Sequence, residues 1–279
     1  TFDQRPEMIL SDMNGDRVQD IVLLGDDYLL YWPGMGNGEW DKGKVGNWLN
    51  GEVGTGTKMF NPPTSSDTDL ASLSSFYDQM KPIDVNGDGL TDLLFQPEGA
   101  DYLFYWLNYD GLNWSEPIRI DNVPVITELT TLLTADMNGN GTTDLLWNFS
   151  ESAESDVSQT WQYLEFYPTE KPYLLKSVTN GIGKTTAFTY GSSVDEYLRD
   201  ESTNAWANRV PNPINILKQL DINDGLNTYT TTFAYHDGYY DTSEKEFRGF
   251  AKAEQFEIGD ASVPTLESAY EFHLGVTAD

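Results

Sequence analysis

Three nine-residue stretches place oxygen donors at alternating positions: Asp12-Met-Asn-Gly-Asp-Arg-Val-Gln-Asp20, Asp84-Val-Asn-Gly-Asp-Gly-Leu-Thr-Asp92 and Asp136-Met-Asn-Gly-Asn-Gly-Thr-Thr-Asp144. Calcium is a hard cation that takes six to eight oxygens, and a short loop supplies them from alternate residues. Positions 1, 3, 5 and 9 carry Asp12, Asn14, Asp16 and Asp20 in the first loop, and Asp84, Asn86, Asp88 and Asp92 in the second. The third offers Asp136, Asn138, Asn140 and Asp144. Position 7 adds the backbone carbonyl of Val18, Leu90 or Thr142. The pattern predicts up to three structural Ca2+ ions. Without a cation the clustered carboxylates would repel one another.

These loops are not EF-hands. The bidentate Glu of position 12 is replaced by Leu23, Phe95 and Trp147, and strand-type residues follow where a helix should start. Position 6 needs a sharp turn, which Gly89 and Gly141 suit and Arg17 does not. Asn140 removes one charge, so the third loop is expected to hold calcium most weakly. The metal-free alternative is a set of Asx turns, in which Asp and Asn cap their own backbone. Three copies in matching register favour the metal.

The elements that position the loops repeat with them. The loop starts lie 72 and 52 residues apart, and each loop runs into an apolar block: Ile21 to Leu24, Leu93 to Phe95, Leu145 to Trp147. An aromatic block follows each: Tyr28-Leu-Leu-Tyr-Trp32, Tyr102-Leu-Phe-Tyr-Trp106 and, after a Ser- and Glu-rich insertion, Tyr163-Leu-Glu-Phe-Tyr167. Short β-branched or aromatic blocks bounded by Gly, Pro, Asn or Asp read as strands. Strand, acidic loop, strand, turn, strand is the plan of a propeller blade, and three blades alone do not close a ring. Tyr31, Trp32, Tyr105 and Trp106 could stack on sugars, although packing between blades is the favoured reading.

After about Pro168 the texture changes. Hairpins are expected around Asn180-Gly181 and Asp224-Gly225, with Tyr229 to Tyr235 alternating as a half-buried strand. Ser192 to Pro213 reads as a long loop with a short helix near Val194 to Arg199. Glu246 to Glu257 and Thr265 to Phe272 read as further strands. The whole is all-β.

The formal net charge of −29 disfavours nucleic acid and anionic membrane surfaces as partners. With 13% aromatic residues the chain is no disordered acidic tail. There is no cysteine, hence no disulfide and no thiol chemistry. The longest apolar runs are strand-length, too short to span a bilayer as a helix. The chain begins at Thr1 without Met or leader and reads as a piece of something longer. Its two histidines, His236 and His273, are read as ordinary core or surface residues. Gly-x-Ser-x-Gly is absent, and Ile182-Gly183-Lys184-Thr185 lacks the earlier glycine of a phosphate-binding loop. No enzyme is expected.

The loops with their following strands resemble FG-GAP/VCBS repeats, the blades of integrin α-type propellers and of many secreted bacterial proteins. A more specific resemblance lies downstream. Leu174 to Gly191, Trp206 with Val210 to Ile216, and above all Tyr235-His-Asp-Gly-Tyr-Tyr-Asp241 with Glu246-Phe-Arg-Gly-Phe250 are similar to the middle region of the B component of bacterial insecticidal Tc (ABC) toxins and to the related segment of SpvB. The resemblance implies a partial propeller over residues 1–168 and β-hairpin shell (Rhs/YD-like) strands over 169–279. It also implies a secreted, extracellular, non-catalytic scaffold, with an A-type pore component and a C-type Rhs component as partners and a toxic polypeptide enclosed for delivery. Arg248 and Phe250 would then serve turn and packing roles. A calcium-dependent carbohydrate-binding or adhesive propeller of a bacterial surface is the alternative, and an enzyme on a propeller is a distant third.

Overall fold

The computed structural model describes residues 7–25, 28–41, 56–64, 80–149, 160–168 and 171–275. The Ser- and Glu-rich insertion falls at residues 150–159, outside them. The chain divides into two compact units: residues 1–137 with 142–166, and residues 138–141 with 167–279.

The first unit holds three antiparallel meanders. Strands β1 (Glu7–Ser11), β2 (Asp20–Gly25), β3 (Tyr28–Trp32) and β4 (Thr57–Met59) form one sheet in chain order. Strands β5 (Lys81–Ile83), β6 (Asp92–Phe95), β7 (Tyr102–Trp106) and β8 (Ile118–Asp121) form the second. The third has β10 (Asp144–Phe149) between β9 (Thr130–Ala135) and β11 (Thr160–Leu164). Each acidic loop joins the first strand of its sheet to the second. Every residue of β6 is buried, as are Asp144 to Trp147 of β10, which is why these strands read as continuous apolar runs instead of alternating ones.

A single core cluster joins the first two sheets through Met13, Val22, Leu24, Leu29, Met59, Leu93, Phe95 and Trp106. Trp32 and Trp106 are 0% and 1% exposed, so these two aromatics are packing residues and no sugar can stack on them. Asn108, itself fully buried, staples the two sheets: its Nδ2 donates to the carbonyls of Met13 (2.9 Å) and Thr91 (3.3 Å), and its Oδ1 accepts from Gly111 N.

The second unit is one six-stranded antiparallel sheet, again in chain order: β12 (Ser177–Thr179), β13 (Thr185–Ser192), β14 (Asn215–Asn223), β15 (Thr228–Asp241), β16 (Glu246–Glu257) and β17 (Leu266–Glu271). The hairpin turns fall at Asn180–Lys184 and Asp224–Asn227, where the Asn180 and Asp224 side chains accept the turn N–H groups. One helix, α1 (Ser193–Asp200), interrupts the meander between β13 and β14. Ser192 and Asp195 form its capping box. None of the described sheets closes into a barrel, and among the described residues no helix is long and apolar enough to cross a membrane.

Candidate functional site

The first two acidic loops share one internal geometry. Asp12 accepts from Gly15 N (2.7 Å) and Arg17 N (2.6 Å), and Asp84 likewise from Gly87 N (2.7 Å) and Gly89 N (3.0 Å). Asn14 Oδ1 accepts from Asp16 N, and Asn86 Oδ1 from Asp88 N. Asp16 and Asp88 cap Val18 N and Leu90 N at 2.8 Å. The position-9 acids do something else. Asp20 and Asp92 are 0% exposed and face the sheet: Asp20 takes Met13 N and Gly34 N, and Asp92 takes Val85 N and Asn108 N, all at 2.8–2.9 Å. They tie the loop to the far end of the next strand pair.

Burial, with no cationic partner among the described residues, sets the electrostatics. Desolvation pushes the Asp92 carboxyl up to about 7 against the two N–H bonds that favour its charge, with Asp88 and Asp84 adding to the rise. Asp20 is raised for the same leading reason, helped by Asp16 and Asp12. Arg17 adopts φ +67°, the left-handed turn that glycine occupies at Gly89. Its side chain accepts strain of roughly 1 kcal/mol there.

The third loop departs from this pattern. Met137 N donates to Asp144 Oδ2 (2.8 Å), but the fully buried Asp144 Oδ1 has no hydrogen-bond partner among the described residues, where the other loops use Gly34 and Asn108. Burial raises Asp144 too, with Asp136 and Glu165 contributing. Asn138 Oδ1 accepts from Asn140 N. Asn140 Nδ2 donates to the Tyr167 carbonyl at 2.7 Å, a bond an aspartate could not make. The tip also meets the start of α1: Ser192 Oγ donates to the Gly139 carbonyl, and a Cβ at position 139, where φ is +73°, would sit 2.8 Å from Val194. Thr142 is buried.

Hard oxygen donors in a tight turn suit calcium, and a carboxylate oxygen that accepts one N–H keeps a second lone pair. Asp12, Asn14 and Asp16, with the Val18 carbonyl, and Asp84, Asn86 and Asp88, with the Leu90 carbonyl, are the groups that would hold it. Among the described residues, however, no three His, Asp or Glu side chains form a ready-made cage. The amide donors and carbonyls would have to complete the shell.

The second unit carries a cluster that motif reading missed. Glu196 of α1, 1% exposed, accepts from Arg199, from Lys218 of β14 and from Tyr235 N of β15 (2.8 Å). Asp200 accepts from Arg199 Nε (2.8 Å), Trp206 Nε1 (2.8 Å) and His236 Nδ1 (2.7 Å). Burial pushes Asp200 up, but these donors outweigh it and bring the carboxyl down to about 2. Trp206 packs edge-on against Tyr197 and Phe250, and Phe250 meets Tyr235 and Phe247. His236 is partly buried in this cluster, and His273 is exposed. The only forewarning in the sequence was the Asp and Glu spacing on a short capped helix.

The sequence model of the family described as "Insecticide toxin TcdB middle/N-terminal region" matches residues 113–267, more than half of the chain. The chain belongs to that family. The match takes in the third meander and nearly all of the six-stranded sheet. Among solved structures, a Tc holotoxin pore of Photorhabdus luminescens aligns over 99% of this chain with a TM-score of 0.76 and 23% identity. A TcdB2–TccC3 complex aligns over 97% with a TM-score of 0.69 and 23% identity, and a form of it without the hypervariable C-terminal region over 97% with 0.70 and 24%. At these identities the likeness is one of fold. The chain spans only 12%, 12% and 11% of those three chains. No curated protein matches it.

Proposed function

We propose that this TcdB-family segment is a non-catalytic scaffold of a secreted bacterial toxin complex, in which the meanders of the first unit are propeller blades and the six-stranded sheet is a stretch of shell wall. The observation that carries this reading is the family match over 113–267 joined to a fold shared with a Tc holotoxin along 99% of the chain. It supports a B-type role: docking an A-type pore component, joining a C-type Rhs component and helping to enclose a toxic polypeptide. Buried charge in the second unit is spent on internal ion pairs, as expected of a wall. Among the described residues the buried acids of the first unit lack cationic partners, which supports structural calcium in the first two loops, with the third weakest because Asn140 removes one charge there.

Affinity capture of the protein from the producing bacterium, followed by mass spectrometry, tests the scaffold reading. The expected result is co-purification of a pore-forming polypeptide and a C-type polypeptide in fixed ratio. Recovery of the protein without either, together with specific binding on a glycan array, would point to the adhesive alternative.

A further inference from the structure

In the charged cluster between α1 and the sheet, one polar atom is left over. His236 Nδ1 lies 2.7 Å from Asp200 Oδ2, which makes Nδ1 the donor. Its other nitrogen, Nε2, is buried with no hydrogen-bond partner among the described residues and faces Glu254 Oε2 of β16 at 3.4 Å. In the neutral ring with Nδ1 protonated, Nε2 turns a lone pair toward a carboxylate. A second proton converts that repulsion into a donor–acceptor pair within the sheet and turns the Nδ1–H bond to Asp200 of α1 into an ion pair. We propose that the Asp200–His236–Glu254 line is a proton-operated latch that fastens α1 to the sheet when His236 is doubly protonated and loosens it when the ring is neutral.

The groups facing the ring can be weighed. From α1 come Asp200 and, at 3.1 Å from Nδ1, the Arg199 guanidinium, whose charge opposes the proton. Arg199 is itself engaged by Glu196, Asp200 and the Tyr235 carbonyl. From β16 come Glu254 and Lys252, the latter 2.5 Å from Glu254 Oε1, while Lys218 of β14 is held by Glu196. Each cation is thus engaged by at least one carboxylate, and Nε2 faces the second oxygen of Glu254. Asp200 and Glu254 are both held low, Asp200 chiefly by Arg199 against its burial and Glu254 chiefly by Lys252, so both face the ring as carboxylates. Loosening α1 would uncover the Trp206–Phe250–Tyr235 cluster, because Tyr197 of α1 stacks on Trp206.

Hydrogen exchange of the full chain, corrected for intrinsic rates and compared at pH 5.5 and 8.5, reads the latch directly. These values bracket the ordinary titration of histidine. Protection of amides 196–200 is expected to be about fivefold greater at the lower pH, the factor one net hydrogen bond supplies. In Glu254→Gln the new carboxamide can donate to the neutral Nε2, so protection should stay high at both values. His236→Gln should be flat. Equal protection of the wild type at both pH values, or an unchanged pH dependence in Glu254→Gln, would overturn the proposal.

Discussion

Two aspartates with almost no exposure, Asp92 in the first unit and Asp200 in the second, sit at opposite ends of the titration scale, about 7 and about 2. Burial pushes both up. The difference lies in their partners. Asp92 receives two backbone N–H groups, which are dipoles without net charge, and has Asp84 and Asp88 as neighbours. Asp200 receives a guanidinium, an indole N–H and an imidazole. The second unit neutralises its buried charge internally, whereas the first leaves its own to a proton or a cation. One residue type therefore marks a finished structural clamp in one unit and an incomplete charge balance in the other.

Removing the buried acids should break that comparison most visibly. Asp92→Ala strands the N–H groups of Val85 and Asn108 in the core and should cost about 3 kcal/mol in urea unfolding. Asp144→Ala strands only Met137 N and should cost nearer about 1 kcal/mol. Equal losses would mean that the unpartnered Oδ1 of Asp144 is satisfied in solution.

The pH dependences should then run in opposite directions. A folded carboxyl raised to about 7 gives stability that is full below its unfolded value of 3.8 and is lost as pH rises through 7. Without calcium, the stability difference between wild type and Asp92→Asn should therefore shrink or change sign from pH 4 to pH 8. A carboxyl lowered to about 2 contributes above 3.8 and loses that contribution as pH falls toward 2. For Asp200 the amount is about 1 to 2 kcal/mol after allowance for solvent screening, measured as the difference between wild type and Asp200→Asn.

Asn140→Asp sets a carboxylate against the Tyr167 carbonyl and should destabilise by about 1 kcal/mol even though it restores the motif of the other loops. A gain in stability on adding calcium to this variant alone would show that the third loop needs only the charge. Smallest is Arg17→Gly, which relieves the positive φ and should stabilise by about 0.5 to 1 kcal/mol, seen as a raised Tm.

Much of the fold was legible because it is local. The Leu-Leu runs after each loop, the aromatic strands and the Asn180-Gly181 and Asp224-Gly225 turns carry their own signals, and the structure puts strands and turns there. The short helix near Val194 to Arg199 was also visible, although its Ser192–Asp195 capping box was not read. What escaped notice depends on pairings far apart in the chain. Asn108 reaches Met13 across 95 residues, and Glu196 meets Lys218 and Tyr235 at separations of 22 and 39. No local pattern announces them, since sheet register decides which side chains face each other. Position 9 of the loops carries a role that the spacing alone did not announce: Asp20 and Asp92 each begin a buried strand, where an acid turned inward staples the backbone.

The most direct test is calorimetric titration of the metal-free chain with calcium, alongside Asp12→Asn, Asp84→Asn and Asp136→Asn. Two binding events should appear, one weakened by Asp12→Asn, the other by Asp84→Asn, and neither by Asp136→Asn. No heat at all, or loss of the tightest site in Asp136→Asn alone, would show that the uncompensated charge of the first unit is not answered by calcium in its first two loops.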